Sequence, residues 1–182
     1  TRLVEQKGLD ILIPAMELLK NSGIQFLILG TGEEKYHHAL RDLAKRNKGR
    51  ICAHIMFDAK VAKRIYAGSD MLLVPSYYEP CGLSQMIALR FGTIPVARVT
   101  GGLADTVSEF DFRTGKGNGF VFQDYKAESL KDAIERAAAV YKNEKKWLEL
   151  IENAMACDFS WASSAKKYEQ IYQAAKKRTL AV

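Results

Sequence analysis

Apolar positions between residues 9 and 19 recur at helical spacing, and Asn21-Ser22-Gly23 then predicts a stop with a glycine suited to a left-handed cap. Residues 24–29 form an apolar run broken only by Gln25 and bounded by Gly30-Thr31-Gly32, the pattern of a strand buried on both faces. The same logic predicts helices over 33–46, 59–67 and 83–91, and strands over 51–55, 71–74 and 94–97, with Pro75 ending the second of these strands. Residues 108–118 are polar and glycine-rich and read as a loop before a last short strand over 119–122. Helices then follow over 127–141, 145–156 and 160–177. Short apolar runs alternating with helices are the signature of stacked βαβ units. The expected class is α/β: a Rossmann-like parallel sheet with helices on both faces and extra helices at the C-terminal end. No linker composition separates the late helices, so one domain over 1–182 is expected.

Composition narrows the class without changing it. At 182 residues, 48% apolar and 26% charged, the chain can bury a real core. No apolar run approaches the roughly 20 residues that span a bilayer, so no membrane partner is expected. Cys52, Cys81 and Cys157 are widely spaced and in no Cys-x-x-Cys pair, which predicts neither a disulfide framework nor a structural zinc site and fits a reducing, cytoplasmic setting. The formal charge of +6 is concentrated near the end, where Lys166, Lys167, Lys176, Lys177 and Arg178 face only Glu169. These read as a solvated helix face, and with no recognition motif beside them no nucleic acid is expected. The chain opens at Thr1 with no Met and no basic-then-apolar leader, the expectation for a piece of a longer, non-secreted protein.

In open parallel sheets, ligands bind beyond the carboxyl ends of the strands. Gly30 and Thr31 follow a buried strand and suit either close approach of a phosphate or ribose or a plain tight turn; with no Gly-x-Gly-x-x-Gly, a nicotinamide site is not supported. The segment Ser76-Tyr77-Tyr78-Glu79-Pro80-Cys81-Gly82-Leu83-Ser84 is more telling. A strand end delivers a single carboxylate, and a helix then starts with open amides at Leu83 and Ser84, a ready anion site that Gly82 leaves uncrowded. Glu79, just outside, would repel a diphosphate but accept hydrogen bonds from sugar hydroxyls. Arg2 ends a first strand, and with Lys7 it puts two cations in one strand-to-helix loop, where they neutralise a diphosphate or stand solvated. Thr100-Gly101-Gly102 is a second glycine-rich loop, fitting sugar or phosphate contact or a tight turn.

With those residues assembled, the chain resembles the C-terminal half of the bacterial glycogen synthases and the related plant starch synthases. The likeness runs nearly end to end: Thr-Arg-Leu-x-x-Gln-Lys-Gly-Leu-Asp at 1–10, Leu-Gly-Thr-Gly at 29–32, Pro-Ser-x-x-Glu-Pro-Cys-Gly-Leu at 75–83, Gly-Thr-Ile-Pro at 92–95, Thr-Gly-Gly-Leu-Ala-Asp-Thr-Val at 100–107 and Asp-Phe-Ser-Trp at 158–161. The resemblance implies a GT-B fold, two Rossmann-like domains across a cleft, of which this is the nucleotide-sugar domain and the N-terminal acceptor domain lies elsewhere. It implies a retaining hexosyltransferase moving glucose from ADP-glucose, less often UDP-glucose, to the non-reducing end of an α-1,4-glucan, with no metal and no cofactor. It puts Arg2 and Lys7 on the diphosphate, the Leu83 and Ser84 amides on its distal phosphate, Glu79 on the glucose hydroxyls, and Cys81 and Gly82 in the glucose pocket. Phe57 matches the aromatic position stacked on adenine, although the residue alone suits an ordinary core aromatic equally. Wider relatives carry a second Glu eight residues after the first; Ile87 stands there, and the glycogen-synthase branch typically lacks that Glu too.

Two other functions fit the residues less fully. One is a different nucleotide-sugar transferase of the same fold, and the other is a nucleotide- or glucan-binding module with no activity of its own. Glu79 lacks the second acid that a glycoside hydrolase needs.

Overall fold

The computed structural model describes residues 1–179, with side chains to residue 176. In chain order the elements are β1 (Arg2–Leu3), a 3-10 turn (Glu5–Lys7), α1 (Leu9–Leu18), β2 (Phe26–Gly32), α2 (Glu34–Arg46), β3 (Ile51–Ile55), α3 (Ala59–Gly68), β4 (Met71–Val74), α4 (Ser84–Phe91), β5 (Ile94–Arg98), α5 (Gly102–Thr106), β6 (Phe120–Phe122), α6 (Ala127–Tyr141), α7 (Glu144–Ala156) and α8 (Trp161–Thr179). The α/β class and the order of elements are as the apolar pattern predicts.

Local chemistry explains several boundaries. Asp58 caps α3 by accepting from the amides of Lys60 and Val61, and Asn143 caps α7 through the Lys146 amide. Two expectations are corrected. The Asn21-Ser22-Gly23 segment does not cap α1, which stops at Leu18; the chain then turns as the Ser22 hydroxyl donates to the Leu19 carbonyl at 2.6 Å. Gly30-Thr31-Gly32 is not a loop: it forms the last three residues of β2, because Leu3 and Thr1 lie so close that a Cβ on Gly30 would stand 2.2 Å from the Thr1 carbonyl oxygen.

The strands form two parallel three-stranded sheets, β1-β2-β3 and β4-β5-β6. β1 pairs Arg2 with Thr31 and Leu3 with Gly32. Helices join the halves: α1 packs on both α2 and α6, while α6 and α7 lie against β5. One main core runs through both halves, with Leu3, Leu40, Leu43, Leu89, Ile94 and Leu130 fully buried.

On α8 the basic side chains described, Lys166, Lys167 and Lys176, are exposed, whereas the side chains of Lys177 and Arg178 lie outside the described residues. The same helix carries an aromatic row that charge counting missed: Trp161, Tyr168 and Tyr172 are all largely exposed. Among the described residues no helix is long and apolar enough to cross a membrane.

Candidate functional site

β4 ends at Val74, where Pro75 removes the next ladder donor and turns the chain toward α4. This turn brings Glu79 inward until it is only 8% exposed. Its Oε2 accepts from Lys7 Nζ at 2.5 Å and from the Ser76 hydroxyl at 3.2 Å. A buried carboxylate with no cation is costly, so Lys7, delivered by the turn after β1, balances it. One backbone and one side-chain hydrogen bond hold the two loops in register. The Tyr77 amide donates to the Gln6 carbonyl at 2.9 Å, and Gln6 Nε2 donates to the Tyr78 carbonyl at 3.1 Å.

The glycine-rich loop after β5 completes this wall. The Gly102 amide donates to the Glu79 carbonyl at 3.0 Å. A Cβ on Gly101 would stand 2.1 Å from the Glu79 carbonyl oxygen, and one on Gly102 would stand 2.5 Å from that of Cys81. These two glycines therefore let one loop lie directly on the other, backbone to backbone. Gly82 is crowded in turn by Gln85 and Glu79.

Helix α4 starts with no side-chain cap, and its first backbone bond runs from the Ile87 amide to the Leu83 carbonyl. The Leu83 and Ser84 amides and the positive end of the helix dipole are thus left to face an anion. Arg2, Lys7, Glu79, Gly82, Leu83 and Ser84 line one cavity of about 1060 Å³. Glu79, the cations Arg2 and Lys7 and a helix N-terminus on one space can bind a ligand that is anionic at one end and rich in hydroxyls at the other. Gly30, Thr31, Phe57, Cys81, Thr100 and Gly101 are not in that lining. Phe57 is 86% exposed in the loop after β3, so it is no core aromatic. The Cys81 carbonyl is turned onto Gln85 Nε2 at 3.2 Å. Among the described residues no three His, Cys, Asp or Glu side chains gather as a metal site would require.

The family model for glycosyl transferases group 1 matches residues 1–156. The chain belongs to this family. Among curated relatives, the glycogen synthase of Desulforudis audaxviator (strain MP104C) is 51% identical over 98% of this chain, and that of Thermosipho africanus (strain TCF52B) is 52% identical over 96%. The chain spans 36% of the length of each. Among solved structures, the catalytic domain of starch synthase IV from Arabidopsis thaliana, bound to ADP and acarbose, superposes with a TM-score of 0.85 and 39% identity, over 95% of this chain and 36% of that one. Sucrose-phosphate synthase from Thermosynechococcus elongatus, at 24% identity and a TM-score of 0.69, shares the fold.

In this group 1 glycosyl transferase chain several site residues escaped the sequence analysis. Ser76 and Gln6 touch the Glu79 loop, yet neither stands out among ordinary loop residues. Arg98, at the end of β5, donates from Nη1 to the Tyr77 carbonyl at 2.6 Å and from Nε to the Gln123 carbonyl at 3.0 Å. Its guanidinium lies 5.3 Å from the Tyr125 ring centroid and 5.9 Å from that of Tyr77. Tyr125 in turn donates to Asp10 at 2.5 Å, and burial, followed by that bond, holds its phenol well above the usual tyrosine range, so it stays a donor. The available signal was a lone cation ending a buried strand just before a glycine-rich loop. Arg98→Met is expected to speed amide exchange at Tyr77 and Tyr78 about tenfold or more, while Arg98→Lys, which keeps a cation, loses less. Unchanged exchange in both variants would show that the loop holds without Arg98.

Proposed function

We propose that this chain is the donor-binding half of a glycogen or starch synthase, a retaining glucosyltransferase that uses ADP-glucose. The observation that carries the proposal is the buried Glu79–Lys7 pair beside the uncapped start of α4. Glucose hydroxyls donate to Glu79, and the diphosphate lies against Lys7, Arg2 and the Leu83 and Ser84 amides. Gly30, Thr31, Phe57, Cys81, Gly82, Thr100 and Gly101 flank the nucleotide and sugar, with Phe57 offering its exposed face to the base. In the reaction the bond from glucose C1 to the diphosphate oxygen breaks, and a bond from C1 to the 4-hydroxyl oxygen of the glucan end forms. That hydroxyl's proton passes to the departing diphosphate oxygen, which has taken the electron pair of the broken bond, and ADP leaves. Catalysis comes from holding the reacting groups together and from cations and amides aimed at the charge growing on the diphosphate.

The whole chain forms the donor domain, and an acceptor domain lies in the remainder of a longer protein. The 36% span of the glycogen synthase relatives supports this division. The three free cysteines fit a cytoplasmic setting. ADP in the Arabidopsis starch synthase structure favours the adenine nucleotide over uridine. The test is glucose incorporation into a glycogen primer by the full-length protein. ADP-glucose is expected to support it well above UDP-glucose; UDP-glucose as the better donor would overturn the donor assignment, and incorporation from neither would overturn the activity. A second outcome, nucleotide binding without turnover by this chain alone, follows from the same division.

A further inference from the structure

The start of α4 is braced from behind by a residue to which the donor site gives no contact. Gln85, the second residue of the helix, is fully buried and stands outside the lining of the cavity that Gly82, Leu83 and Ser84 line. Its side-chain nitrogen, Nε2, donates to the Gly82 carbonyl at 2.8 Å, to the Cys81 carbonyl at 3.2 Å and to the Thr106 hydroxyl at 3.1 Å. Its oxygen, Oε1, has no donor among the described residues. Two hydrogens are thus shared among three acceptors, while a buried acceptor goes without a partner. Packing alone would favour an apolar side chain of the same length, which leaves no orphaned oxygen.

These bonds set the direction of the backbone. In a planar trans peptide the carbonyl and the amide that follows it point opposite ways. With the Cys81 and Gly82 carbonyls both drawn inward to Gln85, the Gly82 and Leu83 amides point away from it. Neither amide donates to any group among the described residues. Gly82 has φ +75, and Leu83 after it has φ −100 and ψ −28. A left-handed residue followed by a right-handed one gathers successive amides into a concave nest for an anion. Glycine is also what lets the Gln85 amide lie so close, since a Cβ on Gly82 would stand 2.5 Å from Oε1. Thr106 completes the brace: its hydroxyl accepts from Gln85 and donates to the Gly102 carbonyl at 2.9 Å, tying the nest to α5.

We propose that Gln85, backed by Thr106, is the positioning residue of this anion site: it aims the Gly82 and Leu83 amides, beside that of Ser84, at the distal phosphate of the donor and touches no ligand itself. This rests on the donor reading above and adds the side chain that fixes the direction of its amides. A nucleotide with a single phosphate leaves the nest empty, so only the diphosphate senses Gln85.

The test titrates the full-length protein and its variants with ADP and with AMP, below the melting temperature of each variant. Gln85→Met keeps the length of the side chain and removes the donor; it is expected to weaken ADP about tenfold or more and AMP by less than about threefold. Thr106→Val is expected to lower the preference for ADP over AMP by about threefold, and Thr106→Ser, which keeps the hydroxyl, to restore it. A side chain that served packing alone would lower Tm and leave that preference unchanged. Equal weakening of ADP and AMP by Gln85→Met overturns the inference, as does ADP bound equally well with and without Gln85, a result that leaves the donor site itself standing. If Gln85→Met does not fold, the Thr106 pair decides: a preference unchanged in Thr106→Val, or lowered as much in Thr106→Ser, overturns the role of the brace. Binding of neither nucleotide by the unmodified protein overturns the donor reading, and the role of Gln85 with it.

Discussion

Lys7→Ala in the full-length protein is expected to lower kcat by about two to three orders of magnitude, and Arg2→Ala by a similar or somewhat smaller factor. Both cations line the cavity at the start of α4, and under the proposed donor reading the diphosphate gathers charge there as it leaves. Their attraction grows along the reaction, so it acts on kcat more than on KM. Phe57→Ala should cost less than tenfold and act mainly through KM, because stacking on a base is the same before and during bond breaking. Lys7→Ala also strands the buried Glu79 carboxylate and will lower stability. Thermal melts separate the effects, since a folded but weakened enzyme keeps its kcat if Lys7 only serves packing. Equal kcat losses for Lys7→Ala and Phe57→Ala would sink the assignment of Lys7 to the leaving group.

Gly8→Ala should produce a large stability loss, about 3 kcal/mol or more. Gly8 has φ +74, which by itself costs a non-glycine residue about 1 kcal/mol, and its new Cβ would stand 2.0 Å from the Pro75 carbonyl oxygen. The Pro75 backbone cannot retreat without moving the Glu79 loop. Gly49 supplies the comparison: φ is +78 but nothing lies within 4 Å of its would-be Cβ, so Gly49→Ala isolates the conformational part at about 1 kcal/mol. Urea unfolding with an unchanged m value measures both. Similar losses at Gly8 and Gly49 would mean that the 3-10 turn and the loop after β4 do not bear on each other as closely as described.

Much of the fold was legible because most strands are short apolar runs, β2 closing on Gly and β4 on Pro, and because the helices between them carry spaced apolar faces. Pro75 ending β4 and Asp58 opening α3 are local effects, readable from a few neighbours. The errors are non-local. Gly30-Thr31-Gly32 carries turn composition, yet it lies in β2 because Thr1 and Leu3 press against it, a contact between segments about 28 residues apart. Gly101 and Gly102 read equally as ligand contacts or as a tight turn, and nothing in the local sequence signalled that they also let one loop rest on another. The Glu79 carboxylate and the cations near it could be singled out from residue type and position alone. That Lys7 pairs directly with Glu79 could not, since the two come from loops joined only in three dimensions.

The central claim, a nucleotide-sugar donor site built on Lys7, Glu79 and the start of α4, is tested most directly by calorimetric titration of this chain and its Lys7→Ala variant with ADP, UDP and ADP-glucose. ADP and ADP-glucose are expected to bind the unmodified chain, UDP more weakly, and Lys7→Ala should weaken ADP at least tenfold. Heat from none of the three nucleotides, or ADP affinity indifferent to Lys7, would contradict it.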